Sequence, residues 1–522
     1  MDWFNFVVAG SGPGGVAAAR RLEGKGTCIV DIGITPEQVF PHASLGEGLA
    51  SGDIESMLGS HWEMLTNLVE PGRVHPKLRA PGVRYVASGQ AFRVHDASGE
   101  SYLRGAGSHA AGGMSNAWGA QLFRYNDADF AEAGDWPINA DALETHYADI
   151  EAHIGIAGEV DDMYGFLGET TCMLPPTPIV PAADYLLARY RKCRSYANLC
   201  LGRSRLAILT KPYRGYPEHG FNETEFFSTE QLGLYTARRT LDELRDGGRL
   251  TYLGGYELVA YREYPEFVEI DLRQCDSNAV RMIRTKHLLL GCGTLQTARL
   301  VLLNKQAVGR SLPFIDHPPT LAPLFIPRMF GTTLPARSFP VQLVATINLP
   351  AQRDMISFYY PGALLWSDLL ADMPLPMDAA LKLLPNLLGG MLVAQIWETS
   401  RPALENRLSL TTNGSIRIDY PRRSPYARLN SLLTALRLLG VYSLPRLATL
   451  APPGWGFHYA GCLPMRHRPT SFETHTDGRL WDSQRVRAID GSVLPSLPAK
   501  NHSLTLMANA ARIADETLRC EY

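Results

Sequence analysis

The opening of the chain restricts its fold more than any other segment. A strand-like run from Phe4 to Ala9 meets Gly10-Ser11-Gly12-Pro13-Gly14-Gly15, then a helical run from Val16 to Leu22, then a second strand-like run from Thr27 to Val30 that ends at Asp31. Glycines in the spacing Gly10-x-Gly12-x-x-Gly15, directly after a strand and opening a helix, let backbone N–H groups and the positive end of the helix dipole receive a pyrophosphate. Asp31 stands about twenty residues on, placed to accept hydrogen bonds from a ribose hydroxyl, and an acid there opposes a 2′-phosphate. A bare glycine turn arises by chance; the strand, the helix and the acidic strand end together single this one out. The expectation is a βαβ dinucleotide site formed by Gly10, Gly12, Gly14, Gly15 and Asp31. The motif does not separate FAD from NAD.

With 522 residues the chain exceeds one ordinary core and fits two large packed domains, or one interrupted by the other. A second strand-turn-helix unit lies far downstream, where His287-Leu288-Leu289-Leu290 runs into Gly291-Cys292-Gly293-Thr294 and a helical stretch from Leu295 to Leu303. The nucleotide domain is therefore expected to be assembled from separated segments. Alternating stretches at Phe339 to Asn348, Met355 to Tyr360, Met391 to Trp397 and Arg407 to Thr411 predict an antiparallel sheet.

Composition excludes several classes. A chain that is 45% hydrophobic and 20% charged reads as globular, and a net charge of -2 gives no general field for nucleic acid. The basic runs Arg189-Tyr190-Arg191-Lys192 and Arg422-Arg423 are short and read as solvated faces. No apolar stretch approaches the roughly 18 residues a spanning helix needs, so no membrane span is expected. The first strand starts without a basic, apolar leader, which points to the cytoplasm. Eight cysteines lack CxxC spacing, which speaks against a metal site and a disulfide framework; they are expected to be reduced and mostly buried. The apolar segment from Leu364 to Gly390 reads as a helix packed on its own sheet, with a lid or a membrane-surface contact as the sharper alternative.

Three further blocks resemble the glucose–methanol–choline (GMC) oxidoreductases, in the family's order and nearly from end to end. Gly112-Gly113-Met114-Ser115-Asn116-Ala117-Trp118 looks like the family's flavin-lining loop and is especially similar to that of pyranose oxidases. Asp135-Trp136-Pro137-Ile138 with Tyr147 and Glu151, the segment from Gly291 to Leu300, and Asp316-His317-Pro318 resemble its fold markers. The C-terminal part is the most specific: His458-Tyr459-Ala460-Gly461, the run from Val486 to Pro495 containing Asp490 and Gly491, and Asn501-His502-Ser503-Leu504-Thr505 leading a helix to Leu518.

The resemblance implies FAD, held in an α/β Rossmann-like domain built from residues 1–130, 240–320 and 450–522. Residues 131–239 and 321–449 would form an α+β substrate domain on the antiparallel sheet. It further implies cofactor contacts at Gly112, Gly113, Met114, Ser115, Asn116, Ala117, Asp490, Gly491 and Thr505. Covalently flavinylated relatives carry histidine where this chain has Ala117, so the FAD is expected to be non-covalent. His109 precedes the loop and reads as a surface or supporting residue. The implied reaction is oxidation of a small-molecule alcohol, with oxygen or another acceptor taking the electrons. His458 would be the base. Its partner would be His502 or Asn501, because this chain has His502 where many relatives have proline; Cys462 likewise stands where threonine is usual. A residue at the start of the terminal helix, as His502 is, meets a dipole that favours a neutral imidazole. The flavin loop tilts the substrate toward a sugar, glycoside or aminosugar, with a hydrophobic alcohol as the alternative. Two rivals remain: a reductase with a second dinucleotide site, for which Gly291-Cys292-Gly293 lacks a third glycine, and a non-catalytic flavoprotein, which has no need of two histidines.

Overall fold

The computed structural model describes residues 2–36, 75–78, 81–89, 92–96, 99–103, 106–170, 172–193, 198–221, 226, 233–332, 338–347, 353–361, 369–370, 373–420 and 426–521. Three sheets organise them. The first is mixed and seven-stranded. β1 (Asp2–Ala9) lies between β2 (Thr27–Asp31) and β9 (Val280–Leu290), and β6 (Thr251–Gly254) extends the row beyond β2. These four are parallel, as is β18 (Val486–Ala488), which joins the C-terminal end of β9. The hairpin of β7 (Tyr256–Glu263) and β8 (Val268–Gln274) completes the sheet antiparallel to β9. Strands buried on both faces read as continuous apolar runs, and Phe6-Val7-Val8-Ala9 and Leu288-Leu289-Leu290 are fully buried.

The second sheet is antiparallel and six-stranded. Its order is β17 (Thr449–Leu450), β11 (Thr320–Phe325), β14 (Met391–Trp397), β13 (Met355–Tyr359), β12 (Val341–Ile347) and β5 (Leu199–Arg203). Side chains alternate across it. Leu324, Ile356, Phe358, Ala394 and Ile396 pack into a second core with the helices Pro181–Cys193, Met377–Leu388 and Leu429–Leu438. The intervening positions Leu321, Tyr359, Val393, Gln395 and Trp397 face a cavity between this sheet and the first.

The third sheet corrects one expectation. Residues Arg407 to Thr411 do not join the antiparallel sheet. β15 (Arg407–Leu410) lies between β10 (Ser311–Pro313) and β16 (Ile416–Asp419), and β16 pairs parallel with β3 (Phe92–Asp96), which pairs with β4 (Gly99–Leu103). Alternation identifies a strand but not its partner, because any sheet with one buried face imposes the same period. The other three predicted strands form within two residues of their expected ends.

Other readings are adjusted too. Only Cys28 and Cys462 are buried, and Cys172, Cys275 and Cys520 are exposed. Within the basic run, Tyr190 is buried and its hydroxyl donates to Asp162. Arg422 and Arg423 lie outside the described residues, as do 364–368 and 371–372 of the apolar segment. The described remainder contains the helix Met377–Leu388, with Ala380, Leu384 and Leu388 in the second core and Leu383 exposed. Among the described residues no helix is long and apolar enough to cross a membrane.

Candidate active site

One cavity of about 560 Å³ runs from the glycine turn after β1 to the C-terminal histidines. Its first end is made almost wholly of backbone. Gly10 (φ 96°) lies against the second strand-turn-helix unit, where a Cβ would meet the Gly291 carbonyl oxygen at 2.4 Å. A Cβ on Gly15 would meet the Gly10 carbonyl oxygen at 2.0 Å, so this glycine closes the turn onto the helix Pro13–Arg21. A Cβ on Gly14 would meet the Ile489 carbonyl oxygen at 2.8 Å. Gly12 differs: a Cβ there would meet no atom within 4 Å, and no side chain caps the helix that starts beside it. Unsatisfied N–H groups, a dipole end and open space together fit a dinucleotide pyrophosphate.

Two residues tie this turn to its surroundings. The Ser11 hydroxyl donates to Asp31 and accepts from the Gly112 N–H at 3.0 Å. Burial pushes the Asp31 carboxyl up to about 7, against hydrogen bonds from Ser11, the Ile32 and Gly33 amides and Tyr252. Asp31 lines the cavity at the end of β2, where a ribose would lie.

The loop from Gly112 crosses directly over the turn. Gly112 and Gly113 both have positive φ, and a Cβ on Gly113 would lie 3.3 Å from the Gly12 Cα. Gly113, Met114 and Ser115 line the cavity. Ser115 also donates to the Gly112 carbonyl at 2.6 Å and accepts from the Ala237 N–H at 2.8 Å. Asn116 turns inward and donates to the Ala111 and Gly113 carbonyls, at 2.9 and 2.8 Å. Ala117 is buried with Leu78, Val83 and Val86. His109 lines the cavity, which corrects its reading as a surface or supporting residue.

Asp490 and Gly491 follow β18 and line the cavity. The Asp490 carboxylate accepts from the Gly293 N–H at 3.0 Å, the Thr297 hydroxyl at 2.5 Å and the Ser492 N–H at 2.9 Å. It joins the end of β18 to the helix Thr294–Asn304. Thr505 sits behind the wall, its hydroxyl 2.8 Å from that of Tyr147.

The far end is built from side chains. His458, on the loop after Gly454, packs edge-on to His502 with ring centroids 4.9 Å apart and stacks on Trp397 at 4.6 Å. Asn501 Nδ2 lies 3.3 Å from His458 Nε2. His458 Nδ1, Asn501 Oδ1 and His502 Nδ1 are buried and have no hydrogen-bond partner among the described residues. Burial pushes His502 down to about 4. It holds His458 well below the usual imidazole range, and His502, His317 and Lys77 reinforce the effect. Both rings are therefore neutral at pH 7.

Each ring is held by its own segment. His502 immediately precedes the helix Ser503–Arg519, and its carbonyl accepts from the Leu506 N–H at 2.8 Å. Lys500 is buried beneath this turn, paired with Asp129 and donating to the Arg124 carbonyl at 3.2 Å. Phe457, just before His458, has φ 52°, the left-handed region that side chains avoid. Gly456 is required beside it, since a Cβ there would meet the His317 carbonyl oxygen at 2.4 Å.

Sequence reading missed three residues at this end. His317 lies in a segment taken as a fold marker, yet its ring centroid is 5.5 Å from that of His458. Trp397 ends a strand whose period-two pattern (Val393, Gln395, Trp397) already marked one face. Lys77 left no signal in the sequence; it lines the cavity with His75.

Residues 453–510 match the family model described as GMC oxidoreductase. No curated protein sequence matches the chain. Among solved structures, pyridoxine 4-oxidase from Mesorbium loti superposes with a TM-score of 0.59 at 14% identity, covering 98% of this chain and 99% of its own. A formate oxidase variant from Aspergillus oryzae RIB40, studied for FAD modification, gives 0.63 at 12% identity over 100% and 99% of the two chains. An FAD-dependent oxidoreductase from Chaetomium thermophilum gives 0.60 at 13% identity over 99% of each. The C-terminal block thus matches the GMC oxidoreductase family model, and the whole length of the chain shares its fold with these oxidoreductases.

Proposed function

We propose that the protein oxidises a planar, largely apolar alcohol, with His458 as the base and His502 and Asn501 as its hydrogen-bonding partners. The observation that carries this reading is the placement of His458, His502 and Asn501 together at one end of a cavity whose other end fits a dinucleotide, each with a buried polar atom that has no partner among the described residues. Buried polar atoms without partners are costly, and a ligand hydroxyl between the two imidazoles would supply the partner that His458 and His502 lack.

Bound FAD supplies the acceptor for the hydrogen that leaves the substrate carbon. The glycine turn and the Gly113 loop would hold its pyrophosphate, and Asp31 its ribose. Removal of the hydroxyl proton falls to the chain. With the Asn501 amide turned so that Oδ1 accepts from His458 Nε2–H, Nδ1 keeps the lone pair that a base needs. Burial keeps that ring neutral, and His502 is left to hydrogen-bond the substrate oxygen. Trp397, stacked on His458, fixes the plane of the base and excludes water from it.

The walls favour an apolar ring over a sugar. Phe226, Tyr359, Trp397, Trp455 and Phe457 line the cavity. Of the amides on these walls, Gln121 is already engaged by Ser204 at 3.1 Å, Ser357 at 3.0 Å and Tyr359 at 3.0 Å. Ala117, whose methyl offers no attachment atom, supports non-covalent FAD; flavin that stays on the acid-denatured chain would refute it. The reading as a whole is tested by anaerobic flavin bleaching with benzylic alcohols, aliphatic alcohols and sugars. Benzylic alcohols should bleach it fastest, and bleaching by sugars alone would overturn the substrate assignment.

A further inference from the structure

The substrate end contains a cation with no described counter-charge. Lys77 lines the cavity, and its Nζ sits 3.8 Å from the centroid of Phe457, the residue before His458. His75 packs edge-on to Phe457 and Trp455, with centroids 5.0 and 5.1 Å away, and its Nδ1 accepts from the Lys77 backbone N–H at 3.2 Å. The lysine is thus fixed at its backbone, with its ammonium over the Phe457 ring. An aromatic face satisfies part of an ammonium's charge but accepts none of its hydrogen bonds in the ordinary sense. Among the described residues no carboxylate forms an ion pair with it and no acceptor takes a hydrogen bond from Nζ.

We infer that Lys77 is a specificity residue that receives a carboxylate or similar small anionic group on the substrate, placed across the ring from the hydroxyl that His458 deprotonates. The inference rests on the proposed reading of this end as the substrate end. An anion would complete what the site lacks: an acceptor for the ammonium and relief from its burial, which otherwise pushes the amine down to about 7. The aromatic walls between Lys77 and Trp397 suit the ring that would join the two groups. Substrate would then be bound at both ends, by charge at one and by histidine at the other, leaving the carbinol carbon fixed between them.

The test is calorimetric titration of the FAD-loaded protein with benzoate and with benzamide at pH 6, on wild type, Lys77→Met and Lys77→Arg. Circular dichroism and flavin content report whether each variant is folded. A charge-assisted contact should make benzoate bind wild type at least about tenfold more tightly than benzamide. Lys77→Met should abolish the preference and Lys77→Arg should retain it. Equal affinities in wild type, or a preference that survives in Lys77→Met, would overturn the inference. If Lys77→Met fails to fold, Lys77→Gln is substituted and read in the same way. Anaerobic mixing with 4-(hydroxymethyl)benzoate keeps the two readings apart. A benzoate preference without flavin bleaching by any alcohol leaves the anion site standing and removes the alcohol reading.

Discussion

The two ends of the cavity are built by opposite means. At the nucleotide end the chain offers glycines, amides and a helix terminus, and the side chains nearby are tied to one another, as Ser11 is to Asp31 and Gly112. At the histidine end the backbone recedes, and the groups that face inward are imidazoles, an amide and an ammonium with unfilled hydrogen-bonding capacity. Backbone recognition suits a cofactor that is always the same. Side-chain recognition suits chemistry that needs a titratable atom at one place.

The sharpest test of this division is His458→Ala. The variant should bind FAD as wild type does, yet substrate should reduce the flavin slower by a factor on the order of 10²–10⁴ in anaerobic stopped flow, the usual worth of a positioned base. An unchanged rate would remove His458 from the chemistry.

At the other end two glycines should fail differently. Gly15→Ala forces a methyl group into the Gly10 carbonyl and should lower stability by about 1–3 kcal/mol in urea unfolding. The Cβ of Gly12→Val meets no protein atom within 4 Å, so the variant should fold and lose flavin on gel filtration. Equal flavin retention in Gly12→Val would mean that the open space is not the pyrophosphate site.

A smaller effect separates the partners of the base. His502→Asn should slow flavin reduction less than His502→Ala, because an amide still hydrogen-bonds a hydroxyl. A silent His502→Ala beside a damaging Asn501→Ala would give the role to Asn501 alone.

The smallest expected change is with pH. A base must be neutral to act, and burial has moved His502 to about 4 and His458 well below its ordinary value. The rate of flavin reduction should therefore show no acid limb near 6.5, and should fall only as pH approaches the depressed range. Stability follows the same sign. The unfolded chain binds protons below about 6.5 that the buried rings refuse, so the melting temperature should decline from there toward pH 4. A limb at 6.5 in the rate profile would mean that the base is exposed.

This division also explains what the sequence disclosed. The glycine turn was legible because backbone recognition needs a fixed local spacing, and Gly10, Gly12 and Gly15 carry it within six consecutive residues. His458, Asn501 and His502 were legible only through resemblance, since an isolated histidine has no pattern of its own. Lys77, His317 and Trp397 were beyond reach because they meet His458 from about 380, 140 and 60 residues away, through the pairing of β13 with β14 and the path of two loops. The misplacement of Arg407 to Thr411 has the same origin: periodicity is local and partnership is not.

Phe457 shows how such an arrangement is exposed to selection. Its left-handed backbone is disfavoured by roughly 1–2 kcal/mol relative to glycine, a cost offset by the ring's contacts with His75, Tyr459 and Lys77. Phe457→Gly would relieve the strain, but it would remove the ring beneath Lys77 and loosen the residue next to the proposed base. The aromatic residue at this codon is therefore expected to persist wherever that packing or that chemistry is under selection.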